Sequence, residues 1–120
     1  MPNPFVHIEL STTDVDKAKA FYSKLFDWSL QDMPMPSGTY TMIDVGKGTG
    51  GGMMKQQMPG APSMWVPYVE VGDIHTSTAQ AKTLGANVLL DSEQVPDVGW
   101  ISIFIDPTGA CIGMFMKKQD

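Results

Sequence analysis

The sequence predicts an α+β fold of two tandem βαβββ modules, with curved mixed sheets around a cleft and the helices outside. Two observations predict it. An alternating strand followed by an aspartate-capped helix occurs twice, because an offset of 59 residues aligns Val6 with Trp65 and Asp14 with Asp73. A four-stranded sheet with one covering helix also leaves its second face bare, and two such sheets solve this by facing each other. The two modules could pair within one chain or between two chains.

The length of 120 residues indicates one domain, long enough to bury roughly two-thirds of its unfolded surface. We place module 1 at about residues 1–58 and module 2 at about residues 59–120. The segment 58–63, with two prolines and a glycine, is interpreted as a linker within one domain, because neither half is long enough to stand alone.

Charge and composition exclude several classes of partner. The net charge is −5 and all eight basic residues are lysine, which argues against a nucleic acid and against a strongly anionic ligand. No apolar run approaches the ~20 residues that cross a bilayer, and no signal-peptide pattern opens the chain. The single cysteine fits a reducing compartment, so we expect a cytoplasmic protein.

Module 1 begins with an alternating strand at residues 6–11. Its apolar side chains share one face, and His7 and Glu9 share the other. Thr13 or Asp14 then caps a helix that runs to about Asp27. The remaining predicted elements are a strand from residue 28, a loop at 33–38, a strand at 39–45 and a glycine-rich strand at 50–55.

Module 2 repeats this order. The predicted elements are a strand at 65–71, a helix at 74–84 that ends at Gly85, and strands near 87–94, 99–105 and 110–116. The segment Asp106-Pro107-Thr108-Gly109 predicts a hairpin turn. Pairing across this turn is expected to place Ile101, Ile103 and Ile105 with Ile112 and Met114 on the helix face. The residues then expected on the cleft face are Trp100, Ser102, Phe104, Cys111, Gly113 and Phe115.

Three runs of residues resemble a known family. They are H-I-E-L-S-T-T-D-V-D-K-A-K-A-F-Y, Y-V-E-V-G-D-I and D-P-T-G-A-C-I-G. They resemble the vicinal oxygen chelate superfamily, which includes glyoxalase I, extradiol dioxygenases, and bleomycin and fosfomycin resistance proteins. The resemblance covers nearly the whole chain and implies the fold. It does not specify a reaction, because this fold hosts isomerases, dioxygenases, transferases and binding proteins.

The resemblance also implies a metal ligand on the first and last strand of each module. His7 matches the first ligand, the second falls within residues 51–54, the third matches Val66, and the fourth matches Gly113. One imidazole cannot hold a divalent ion where catalytic sites need about three protein ligands. We therefore predict no cofactor, and a metal would require Glu9 or Glu70 to rotate inwards.

Two sets of residues are candidates for function. His7 and Glu9 are candidate catalytic residues, acting as acid or base, although both could simply be solvated or hydrogen-bonded polar side chains. The candidate ligand-binding residues are Tyr68, Glu70, Trp100, Phe104, Phe115 and Met54 or its neighbour Met53. The alternative is that these large side chains fill the cleft as core.

These observations favour a protein that binds a small hydrophobic molecule in an apolar aromatic cleft, with His7 and Glu9 at its floor. One alternative is an enzyme of the same superfamily, a lyase, isomerase or dioxygenase that uses His7 and nearby carboxylates. Another is a non-catalytic interaction module. We also predict a homodimer, because pairing would cover exposed sheet edges.

Overall fold

The computed structural model describes residues 2–35 and 38–119, which form eight strands and two helices. The chain divides into two compact units. The N-terminal unit spans residues 7–66, and the C-terminal unit contains the described residues before and after it.

The elements of the first half are β1 (Phe5–Thr12), α1 (Val15–Leu25), β2 (Ser29–Met35), β3 (Gly38–Asp44) and β4 (Gly51–Lys55). Those of the second half are β5 (Met64–Glu70), α2 (Ile74–Thr83), β6 (Asn87–Val95), β7 (Gly99–Ile105) and β8 (Cys111–Lys117). The strand orders are β2-β3-β4-β1 and β5-β8-β7-β6. β1 runs parallel to β4 and β5 parallel to β8, whereas the other pairs within each half are antiparallel. Each half is therefore βαβββ, which confirms the predicted α+β fold.

Both helices begin at the predicted aspartates. The Asp14 carboxylate accepts the N–H of Lys17 at 3.0 Å, and that of Asp73 accepts the N–H of His75 at 3.1 Å. These bonds satisfy donors that the first helical turn leaves unpaired. The apolar stripe of α1 packs on one buried cluster of the N-terminal unit. The stripe is Val15, Ala18 and Tyr22, and the cluster is Leu10, Ile43 and Met53.

The predicted loop at residues 33–38 is wrong at residues 33–35 and at Gly38, which is the first residue of β3. Met33 and Pro34 continue β2, where they pair with Tyr40 and Thr39 of β3. β2 lies at the end of the strand order and pairs with β3 alone, so Pro34 removes no bond from a central ladder. Pro36 and Ser37 lie outside the described residues.

The predicted pairing of β7 with β8 is wrong by one residue. Ser102 lies opposite Met114 and Ile103 lies opposite Gly113. The connection includes one residue more than expected, because the N–H of Asp106 donates to the carbonyl of Ala110 at 2.8 Å. Since side chains alternate along a strand, a shift of one residue moves each of them to the other face.

This shift changes the surroundings of two predicted ligand-binding residues. Trp100 and Phe104 pack on the α2 side of the sheet, against a buried cluster of Val71, Ile74 and Met114. The facing predicted for Trp100 and Phe104 is therefore wrong. The isoleucines of β7 lie on the opposite face.

Within the described part of the chain, neither helix is long and apolar enough to span a lipid bilayer.

Candidate functional site

Three side chains of the N-terminal unit form a hydrogen-bonded chain. His7 and Glu9 alternate with Leu10 on β1, so they project from the face turned away from the α1 core. The hydroxyl of Tyr40, on β3, lies 2.6 Å from Nε2 of His7 and donates to Oε1 of Glu9 at 3.1 Å. The structure thus brings the two predicted catalytic residues together through a third residue.

A glycine allows Tyr40 to reach β1. β4 lies between β3 and β1, and its Gly52 pairs with Met42 on one side and Glu9 on the other. A Cβ atom on Gly52 would lie 2.1 Å from the hydroxyl of Tyr40 and 2.2 Å from Cζ. The ring therefore occupies the space that any side chain at position 52 would need.

The proton positions follow from the hydrogen-bond capacity of each group. A tyrosine hydroxyl carries one proton, and here it is donated to Glu9. We therefore assign the Nε2–H tautomer to His7, so that this nitrogen donates to Tyr40. Burial lowers the pKa of His7 below its ordinary value, which keeps the imidazole neutral near pH 7.

Such a chain can hold or move a proton. If Nδ1 of His7 accepts a proton, its Nε2 proton can pass to Tyr40 and the Tyr40 proton to Glu9. The imidazole and the phenol then end neutral and the carboxylate ends protonated. The same groups also offer donors and acceptors to a bound molecule, so the geometry fits either recognition or acid–base chemistry.

The other predicted site residues fall into three environments. Met54 lies on the His7 face of the N-terminal unit, because its strand partner is Ser11. Met53 is fully buried in the α1 core. In the C-terminal unit, Tyr68, Glu70 and Phe115 share the face away from α2.

Tyr68 repeats the close approach of a ring to a glycine. It pairs with Gly113 of β8, and a Cβ atom on that glycine would lie 2.5 Å from the Tyr68 ring. Tyr68 is only 2% exposed. Its role in ligand binding stays a prediction.

The donor set does not fit the metal centre that the superfamily resemblance implies. Among residues 2–35 and 38–119, no three His, Cys, Asp or Glu side chains converge in a way that could hold an ion. The stretch matched to the second ligand is Gly51–Met54, which contains no carboxylate or imidazole. We therefore derive no step through a metal.

A separate hollow of about 210 Å³ lies on the other face of β1. Its lining is apolar and includes Ile8, Trp28, Val45 and Trp65. The lining contains no acid–base group, whereas His7 and Glu9 project from the opposite side of the strand. We accordingly place the candidate site at the His7–Tyr40–Glu9 chain.

Tyr40 is the site residue that the sequence reasoning missed. The predicted strand at 39–45 includes Tyr40, but alternation within one strand does not identify the groups that it contacts. The glycine within the following strand was the available signal, because glycine inside a strand often marks the close approach of another group.

Comparison with known proteins agrees with this fold. The family described as bleomycin resistance protein-like N-terminal matches residues 4–46. "Putative glyoxylase CFP32" of Mycobacterium tuberculosis is 32% identical over 118 residues, which cover 93% of this chain and 45% of that protein. "Anthracycline biosynthesis protein DnrV" of Streptomyces peucetius is 24% identical over 124 residues, covering 91% and 45%. This chain thus spans about half the length of the curated relatives it matches.

Solved structures share the fold at low identity. Hypothetical protein BH1468 from Bacillus halodurans superposes with a TM-score of 0.74 at 14% identity, covering 100% of this chain and 98% of that one. Methylmalonyl-CoA epimerase from Mycobacterium tuberculosis gives a TM-score of 0.70 at 12% identity, covering 96% and 88%. These structural likenesses bear on the fold alone. Taken with the sequence relatives, they agree with the resemblance of this chain to the vicinal oxygen chelate superfamily, whose fold it shares.

Proposed function

We propose that this chain is a glyoxalase/bleomycin-resistance-like protein that binds a small, mainly hydrophobic molecule on the His7 face of its N-terminal unit. The observation that carries the proposal is the hydrogen-bonded chain of His7, Tyr40 and Glu9. It provides a fixed polar group against which one end of such a molecule can be oriented.

The surroundings of the chain support an apolar and uncharged ligand. Met42 and Met54 lie on the same face, and methionine side chains adapt to ligands of different shape. The His7 imidazole is neutral near pH 7, and the sequence contains no arginine to bind an anion in bidentate fashion. The family model that matches residues 4–46 carries a bleomycin-resistance description, which fits sequestration of a compound as the biological role.

A neutral aromatic probe, N-phenyl-1-naphthylamine, tests the proposal by fluorescence titration. Gly52→Ala should weaken binding at least about tenfold, or ~1.4 kcal/mol, because the new methyl group displaces Tyr40. Gly72→Ala is the matched control, since a Cβ atom there meets nothing within 4 Å. Equal affinity in the wild type and Gly52→Ala would show that the probe binds elsewhere and would contradict the proposal.

A second candidate is an isomerase or lyase that moves a proton next to a carbonyl group. The short contact of 2.6 Å between His7 and Tyr40, continued to Glu9, favours it because it links the His7 imidazole, a base, to a carboxylate that can take up the transferred proton. The "glyoxylase" name of a relative points to the same kind of chemistry.

Phenylacetone in D₂O tests this candidate, because it is neutral and aromatic and has an acidic C–H beside its carbonyl. NMR should show deuterium exchange faster than in buffer, and His7→Ala should lower the rate at least about a hundredfold, the lower end of the usual range for general acid–base catalysis. Exchange at the buffer rate in the wild type removes the enzyme candidate and leaves the binding proposal intact.

We also propose that the chain forms a homodimer in the cytoplasm. Phe21 and Leu25 of α1 are 58% and 57% exposed and lie one helical turn apart, which supports burial against a second copy. The single cysteine supports a reducing compartment.

A further inference from the structure

Within the stretch matched to the second metal ligand of the superfamily, residues 51–54, an aromatic ring fills the side-chain space at position 52. Gly52 lies in this stretch and pairs directly with Glu9 on the neighbouring strand. A carboxylate or imidazole at this position would project into the space that the Tyr40 ring already occupies, because even a Cβ atom would lie 2.1 Å from its hydroxyl.

The same tyrosine also engages the residue matched to the first ligand. Its hydroxyl lies 2.6 Å from Nε2 of His7 and donates to Glu9. A cation approaching from this side would have to displace the hydroxyl and the proton on Nε2. It would gain one imidazole and one carboxylate, fewer than the three protein ligands usual for such a centre.

We infer that Tyr40, whose ring packs on Gly52, takes the place of a metal ion. With His7 and Glu9 it then forms a hydrogen-bonding centre that excludes a metal and binds a neutral ligand. The inference deepens the proposed function and relies on it for the ligand alone. Exclusion of the cation does not depend on the ligand, because it is argued from the contacts of Tyr40 and from the number of protein ligands at the site.

The C-terminal unit contains a second instance of the arrangement. Gly113 matches the fourth ligand position, and the ring of Tyr68 lies 2.5 Å from where its Cβ atom would be. The tyrosines come from different strands of their units, since Tyr40 is on β3 and Tyr68 on β5. In both units a glycine on the last strand is covered by a tyrosine ring, so the substitution of ring for ligand is not confined to one position.

The wild-type protein allows a direct test because it contains two histidines, His7 and His75. Imidazole ¹⁵N–¹H correlation spectra are recorded during titration with paramagnetic Ni²⁺, with Mg²⁺ as the diamagnetic control. His7 should broaden no more than the exposed His75 at every Ni²⁺ concentration. Selective broadening of His7 at substoichiometric Ni²⁺ would overturn the inference.

A double variant tests the same point by making room for a carboxylate at position 52. Tyr40→Ala with Gly52→Glu removes the ring and adds a carboxylate beside Glu9, and Ni²⁺ affinity by calorimetry should rise at least about tenfold above wild type. Tyr40→Ala with Gly52→Gln is the matched control, and adding His7→Ala should abolish the gain. A folded double variant that binds Ni²⁺ no tighter than wild type contradicts the inference. Should it fail to fold, the wild-type spectra decide alone.

The two proposals fail in different ways. Equal probe affinity in the wild type and Gly52→Ala contradicts the ligand site and leaves the metal result unaffected. Tight Ni²⁺ binding at His7 contradicts the role of Tyr40 even where the probe still binds.

Discussion

His7 combines a buried imidazole with a short hydrogen bond to a phenol, so its protonation depends on the fold. Burial lowers its pKa below 6.5, and the unfolded chain therefore binds more protons than the folded one near that pH. The free energy of unfolding should fall as pH decreases below about 6.5, because protonating His7 then favours the unfolded chain.

An NMR titration of the His7 imidazole measures this directly. We expect a midpoint below 6.5, and we expect His7→Gln to reduce the pH dependence of the denaturation midpoint between about pH 6.5 and 5. A His7 midpoint at or above 6.5 would show that the imidazole is not held neutral by its surroundings.

Ser102 shows how one buried hydroxyl joins three elements of the C-terminal unit. Thr78 donates to the carbonyl of Ile74 at 2.6 Å, so the 2.7 Å contact with Ser102 is donated by Ser102. Ser102 in turn accepts the N–H of Ser92 at 2.9 Å.

Ser102→Ala should therefore lower the free energy of unfolding by about 1–3 kcal/mol, since it leaves the Ser92 N–H without this acceptor in a part-buried place. Urea denaturation measures the change. Ser77→Ala is the control, because Ser77 precedes Thr78 on α2 and is not part of the Thr78–Ser102–Ser92 network. A loss below about 0.5 kcal/mol, the range of ordinary surface substitutions, would argue against the hydroxyl network.

At the level of elements, the parallel pairing of β1 with β4 depends on Gly51. A Cβ atom there would lie 1.9 Å from the backbone carbonyl oxygen of Ile8, which cannot move as a side chain can. Gly51→Ala should destabilise the protein by about 1–3 kcal/mol or more, as overpacking does. Gly72→Ala should change the free energy of unfolding by no more than about 0.5 kcal/mol. Equal denaturation midpoints for the two variants would contradict this pairing.

Asp106, in the β7–β8 turn, should make the free energy of unfolding depend on pH in acid. Hydrogen bonds from Thr108, first from its side chain, and from the Ala110 N–H lower the pKa of Asp106 below 3.8. Because the folded pKa is the lower one, the stabilisation is complete above about pH 3.8 and is lost as pH falls through the folded pKa. Asp106→Asn should remove this part of the pH dependence, as acid denaturation followed by circular dichroism would show. An unchanged acid midpoint would contradict it.

The order of elements could be predicted because its signals are local. Asp14 and Asp73 identify the helix starts through a bond to a residue two or three positions ahead, and alternation identifies the faces of β1. The register of β7 with β8 could not be predicted in the same way. It depends on whether Ala110 belongs to the turn, which a hydrogen bond from Asp106 decides.

The candidate site was predictable in part for the same reason. Alternation alone placed His7 and Glu9 on one face of a strand. Tyr40 joins them only through the combined registers of three strands and the missing side chain of Gly52, and no pattern within one strand carries that information.

At the scale of the whole molecule, we predict that two copies assemble. A particle of twice 13.1 kDa is expected in analytical ultracentrifugation at micromolar concentration. Phe21→Glu with Leu25→Glu should weaken the dimer, whereas Lys24→Glu on the same helix should have a smaller effect because it removes no exposed apolar side chain. A particle of 13 kDa in the wild type would contradict the dimer, and a dimer unaffected by the double variant would place the interface elsewhere.

The central claim is that a small hydrophobic molecule binds at the His7–Tyr40–Glu9 chain. The imidazole NMR spectrum tests it most directly, with N-phenyl-1-naphthylamine added to the wild-type protein. We predict saturable shifts of the His7 signals that are absent from His75 and strongly reduced in Gly52→Ala. Saturating binding by fluorescence that leaves the His7 signals unmoved would contradict the claim.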